Sequence, residues 1–213
     1  MKKRYFLLLL CIATLFGCSR MTFPWEVNSQ AKSTARLDVA YEARQLKTSG
    51  GTLPYRVAHR MNVIFLVPQC PADYHWSGNR NLPSYLGPVK ELLQLYADST
   101  DAQHKYVFGA SMGGGGVWRL LNECPNTFAA AFIASGMYRN INPQMAAKTP
   151  LYVTVGGAED DRPKEDGQRV TEAIRAAGGE VRFDIIPGLN HPQTCEQSFT
   201  AERIAWVFGH TRQ

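Results

Sequence analysis

The chain has 213 residues, of which 45% are hydrophobic and 19% charged. That balance excludes a disordered or low-complexity protein and suits one α/β domain with a sizeable core. The formal net charge is +5, but Lys2, Lys3 and Arg4 supply much of the surplus at the extreme N-terminus, so the charge gives no ground for a nucleic-acid partner.

The basic start is followed by the apolar run Tyr5–Phe16, which ends in Leu15-Phe16-Gly17-Cys18. A positive segment, an apolar stretch too short for a membrane span of ~20 residues and a terminal cysteine read as an export leader. The ending is similar to a bacterial lipobox, which makes Cys18 the lipidated first residue of the mature chain. This implies residues 1–17 as signal peptide, 18–35 as a polar tether and 36–213 as the folded domain. The location implied is the cell envelope, outer membrane or periplasm, with a lipid anchor as membrane partner. In an exported chain Cys70, Cys124 and Cys195 remain. Cys70 and Cys195 are expected at one rim of the sheet and are the pair that geometry favours for a bridge, with free thiols equally compatible. Cys124 is expected about 20 Å away at the far end of a helix.

Asp38–Leu46 and Thr52–Ala58 flank Ser49-Gly50-Gly51 and predict an antiparallel hairpin. Asn62–Val67 is a continuous apolar run of buried parallel-strand type. Residues 68–88 are rich in Pro, Asn, Gly and Ser and predict a loop, and Val89–Tyr96 has helical spacing. Strands are expected at Lys105–Phe108, Phe128–Ala134, Leu151–Val155 and Val181–Ile186. Helices are expected after Gly115, over Asp166–Ala177 and over Ser198–Phe208. Alternating strands and helices predict a mostly parallel sheet covered on both faces. Ligands in such sheets bind beyond the carboxyl ends of the strands.

At one of those ends stands Gly109-Ala-Ser-Met-Gly113. A serine on a tight strand-to-helix turn lifts its oxygen clear of the backbone, and the amide of Met112 faces the position where negative charge develops during attack on a carbonyl. Serine needs a base, and the base needs a carboxylate to orient it. Asp160 follows one strand and His191 the next, in the order Ser, acid, His. Glu159 and Asp161 are rivals to Asp160. Of the five histidines, only His191 and His210 follow Ser111, and His210 lies past the last helix.

Several segments together carry a family resemblance: Gly109-Ala-Ser-Met-Gly-Gly-Gly-Gly116, Phe128-Ala-Ala-Ala131, Gly157-Ala-Glu-Asp-Asp161, Arg175-Ala-Ala-Gly-Gly179 and Pro187-Gly-Leu-Asn-His191. With Gly51-Thr-Leu-Pro-Tyr-Arg56 and Val67-Pro-Gln-Cys-Pro71, they resemble the α/β-hydrolase superfamily over roughly residues 36–209. The nearest groups are its phospholipase/carboxylesterase and peptidase-like esterase families. The resemblance implies a three-layer sandwich with Ser111 as nucleophile, Asp160 as acid and His191 as base, working without metal or organic cofactor. In the family a strand ending in His-Gly-Gly or His-Gly-x-Gly precedes the Pro-Gln-Cys-Pro strand and supplies the second oxyanion amide. Here that strand-helix unit is missing from its place. Either Asn62–Val67 moves beside the elbow strand and Gln69 or Cys70 offers the second amide, or Met112 is the single donor. Gly156 stands where the family often has His, and the short segment between Ser135 and Leu151 leaves no room for a cap domain.

The function implied is a serine carboxylesterase acting on small or polysaccharide-borne esters, such as acetyl or feruloyl groups, in an open cleft. The alternatives are a non-catalytic binding module on the same scaffold and a phospholipase- or peptidase-like hydrolase on the same triad.

Overall fold

The computed structural model describes residues 4–10, 63–66, 68, 70, 71, 73–99 and 102–211. Its strands are β1 (Arg4–Leu10), β2 (Val63–Leu66), β3 (Ala102–Ala110), β4 (Ala130–Ala134), β5 (Leu151–Gly156) and β6 (Val181–Ile186). Its helices are α1 (Leu86–Ser99), α2 (Met112–Glu123), α3 (Pro143–Ala146), α4 (Asp161–Ala176), α5 (His191–Gln197) and α6 (Ala201–Gly209). The strands form one sheet in the order β2-β1-β3-β4-β5-β6, and every pair is parallel. The expected hairpin over residues 38–58, the tether and Cys18 lie outside the described residues, as does Gln69.

Period-two alternation divides the core between the two faces of the sheet. Val107, Ile133 and Val153 face one side, with Val117, Trp118, Leu121 and Ile174 from α2 and α4. Tyr106, Phe108, Phe132 and Tyr152 face the other, under Phe199, Ile204, Val207 and Phe208. The second face is aromatic: the Phe132 ring lies 5.7 Å from Phe108, 5.5 Å from Tyr152 and 4.9 Å from Phe199, centroid to centroid. Each such ring, fully buried, contributes roughly 1.5–3 kcal/mol by area alone.

One expectation is corrected. Asn62–Val67 does not move beside the elbow strand. The position next to β3 is taken by Arg4–Leu10, which pairs with β2 through Tyr5↔Val63 to Leu8↔Leu66. On its other edge it pairs with β3 through Tyr5↔His104 to Leu10↔Gly109. Residues 4–10 of the segment read as a leader therefore form an interior strand, and the facing edges of β2 and β3 are paired through it. The cysteines take the free-thiol alternative. Cys70, Cys124 and Cys195 are free thiols. Cys70 packs in the cluster under α2 and Cys195 in the cluster under α6, on opposite faces of the sheet, so the favoured bridge does not form.

Candidate active site

Ser111 joins β3 directly to α2 with φ 50° and ψ −114°. A non-glycine residue at positive φ is costly and persists only where its surroundings hold it. Here the Ser111 amide donates to the Ala134 carbonyl at 2.9 Å. The close crossing of strand and helix requires glycine at 109, since a β-carbon there would stand 2.4 Å from the Gly113 carbonyl oxygen. Met112, as the first residue of α2, has an amide with no acceptor inside the helix, at the positive end of the helix dipole.

His191 comes from the β6–α5 connection. It is the first residue of α5, and a capping box fixes that helix start: Asn190 Oδ1 accepts from the Gln193 amide at 3.1 Å, and Gln193 Oε1 accepts from the Asn190 amide at 3.0 Å. The imidazole Nε2 lies 2.8 Å from Ser111 Oγ. Nδ1 lies 2.8 Å from Glu159 Oε2. With Nδ1–H donated to the carboxylate, Nε2 is free to accept from the serine hydroxyl.

The carboxylate partner is Glu159, which corrects the expectation of Asp160. Glu159 sits in the turn after β5 with its side chain 5% exposed. Its Oε1 accepts from the Gly156 amide at 2.8 Å and from Ser135 Oγ, which leaves Oε2 for His191. Asp160 is exposed and occupies the N-cap position of α4 without a side-chain capping bond. Asp161 is on the surface, 3.0 Å from Lys164 Nζ. An aspartate before a helix is a favoured cap residue, and the longer glutamate one position nearer the strand reaches back to the base.

Burial works to raise the Glu159 carboxyl, but the bonds from His191, Ser135 and the Gly156 amide outweigh it and hold the group below the usual range. The His191 imidazole is raised to about 10, first by the Cys195 sulfur and then by Glu159, against burial. Cys195 Sγ, one helical turn along α5, lies 3.9 Å from Nε2. The spacing of four residues on one helix face was the available sequence signal for Cys195.

Of the expected oxyanion donors, Met112 is the first residue of α2, directly after Ser111. Gln69 lies outside the described residues. Cys70 follows β2, which is separated from the elbow strand by β1, a distance of roughly 10 Å between strands. Its thiol is 2% exposed, in the core, and burial pushes it up to about 12. The loop carrying Ser77 and the segment carrying Met137 flank the first turns of α2, since a β-carbon at Gly115 would meet Ser77 Oγ at 3.6 Å and Met137 Cβ at 3.7 Å. Among the described residues no cluster of three or more His, Cys, Asp or Glu side chains is arranged to hold a metal ion, and no helix is long and apolar enough to cross a membrane.

A parallel sheet with helices on both faces and a serine elbow at the carboxyl edge defines the α/β-hydrolase fold, and solved structures agree. A thermostable esterase superposes with a TM-score of 0.74 at 21% identity, over 99% of this chain and 56% of that one. Est1E from Butyrivibrio proteoclasticus gives 0.62 at 12% identity, over 98% of this chain and 88% of that one. The apoenzyme of S-formylglutathione hydrolase (FrmB) from Staphylococcus aureus gives 0.60 at 15%, over 97% and 85%. The chain thus spans little more than half the length of the thermostable esterase. No protein-family model and no curated protein sequence matches it.

Proposed function

We propose that the chain is a serine carboxylic-ester hydrolase. The observation that carries this reading is the unbroken relay from Ser111 Oγ through His191 to Glu159, with both links at 2.8 Å, made by residues from three separate loops. Esterases and hydrolases among the structural neighbours support the reaction class.

In the first half-reaction Ser111 Oγ attacks the ester carbonyl carbon while Nε2 of His191 takes the hydroxyl proton. Glu159 holds the Nδ1–H tautomer and stabilises the imidazolium. The Met112 amide donates to the oxyanion. Collapse of the tetrahedral intermediate breaks the bond to the alcohol, which leaves with the proton from Nε2, and an acyl-Ser111 remains. Water then gives its proton to Nε2 and attacks the acyl carbon, releasing the acid and restoring the hydroxyl.

Between β4 and β5 the chain inserts only the four-residue α3, too little for a cap. An open cleft suits a small ester or one carried on a bulky polymer, such as an acetyl or feruloyl group on polysaccharide. Turnover of p-nitrophenyl acetate well above that of long-chain esters in micelles supports this substrate class. Strong preference for the aggregated lipid would replace it with a phospholipase-like reading.

Envelope anchoring through Cys18 belongs to the same proposal only for a chain cut before Cys18. Such a cut takes Arg4–Leu10 out of the sheet, so the two fates of the N-terminal segment exclude each other.

A further inference from the structure

Ser111 has a structural counterpart one strand away. Ser135 follows β4 as Ser111 follows β3, and the register sets Ala110 opposite Ala134. Both serines have positive φ, 50° and 46°. Each sends its amide to the neighbouring strand: Ser111 N–H to Ala134 O at 2.9 Å and Ser135 N–H to Thr154 O at 2.8 Å. Ser135 is buried, at 5% exposure, and its Oγ donates to Glu159 Oε1 at 2.5 Å.

The turn that holds Ser135 is also fixed to the nucleophile elbow. A β-carbon on Gly114 would stand 2.6 Å from Gly136 Cα, and one on Gly136 would stand 3.1 Å from Gly114 Cα. The first turn of α2 and the Ser135–Gly136 turn therefore meet backbone to backbone, beside the Ile133 side chain. Ser111 on one side of this contact is the attacking group. On the other side, Ser135 grips the carboxylate that orients the base. The positive φ at a buried serine is a strain that an ordinary strand end does not need, and the hydroxyl it directs is spent wholly on Glu159.

We propose that Ser135 is a positioning residue for the Glu159 carboxylate: its hydroxyl ties down Oε1 so that Oε2 faces His191, and its turn sets the acid in register with the Ser111 elbow. This rests on the ester-hydrolase reading of the same site. Without the hydroxyl, the Gly156 amide alone restrains Oε1 and the carboxylate gains rotational freedom about its terminal torsion.

The test uses the full chain with Ser135→Gly and Ser135→Ala. Glycine removes the hydroxyl and relieves the positive φ, whereas alanine removes the hydroxyl and keeps the strain. Both variants should lower kcat for p-nitrophenyl acetate roughly 10- to 100-fold, the range for a lost hydrogen bond to a charged group, with KM little changed. In a Glu159→Gln background the same changes should add almost no further loss. A readout independent of turnover is the far-downfield proton resonance of His191 Nδ1–H bonded to the carboxylate, which should be present in the parent chain and shifted or broadened in Ser135→Gly. If Ser135→Gly keeps kcat and leaves that resonance in place, the serine only shapes the turn and the proposal is overturned. If the parent chain shows the resonance without any turnover, and Ser135→Gly still moves it, the positioning role stands and the hydrolase reading fails.

Discussion

Exchanging Glu159 for glutamine and, separately, Asp160 for asparagine discriminates two adjacent carboxylates. In Glu159→Gln the side chain keeps its shape, and the Gly156 amide and the Ser135 hydroxyl, both donors to Oε1, retain the new carbonyl oxygen at that position. The NH2 group then faces His191 Nδ1, where the carboxylate stood at 2.8 Å. An NH2 donates, so Nδ1 must become the acceptor and the ring proton moves to Nε2. That tautomer cannot take the Ser111 proton. Loss of the correct tautomer in a triad of this type costs about 10⁴ in kcat, and a loss of roughly 10³–10⁴ is the expected result. Asp160 is exposed and makes no side-chain capping bond. Asp160→Asn gives up only an interaction with the α4 dipole of about 0.3–1 kcal/mol in stability, and its kcat should stay within about twofold of the parent. Initial rates with p-nitrophenyl acetate, together with thermal melts to confirm folding, make the comparison. Near-parental activity in a folded Glu159→Gln, with a large loss in Asp160→Asn, would refute the assignment.

Two further outcomes follow from the same site and sheet. Activity needs a neutral His191, so kcat/KM should rise with pH through an acid limb set by this imidazole, which Cys195 and Glu159 both raise. Cys195→Ala removes the first of these causes and should move the limb to lower pH, whereas an unchanged limb would assign the sulfur no influence on the base. Deleting residues 1–17 removes β1 from between β2 and β3 and leaves two interior strand edges unpaired, so the shortened chain should lose its cooperative melt and its ester turnover. A truncated chain beginning at Cys18→Ser with parental melting temperature and rate would show that the leader-like segment is dispensable to the fold.

The legible parts of this molecule are those where one physical signal dominates. Val107 and Phe108 point to opposite faces of the sheet, and their strand-to-turn context made Ser111 readable. His191 was readable by its place after β6. The start of α5 was equally open to reading, since Asn190 and Gln193 stand at capping-box spacing, but the expected helix began only at Ser198. The acid was misassigned because Glu159 and Asp160 are adjacent and differ only in reach. Aspartate matches the pattern of the resembling families, while the close turn at Gly156 gives the longer side chain the path to the imidazole. Residues 4–10 carry the least discriminating signal. A run of large apolar residues satisfies a leader and a buried parallel strand alike, and only the vacancy between β2 and β3 distinguishes the two. Ser135 was visible as a strand-end residue, but its hydrogen bond to Glu159 depends on a turn conformation that sequence pattern does not encode.

The most direct measurement of the hydrolytic relay is reaction of the folded chain with a fluorophosphonate, followed by intact mass and peptide mapping. One adduct per chain, located on Ser111 and lost in Ser111→Ala, is the predicted result. A folded parent chain that takes up no label, or one labelled at a different residue, would contradict the central claim that His191 and Glu159 activate Ser111.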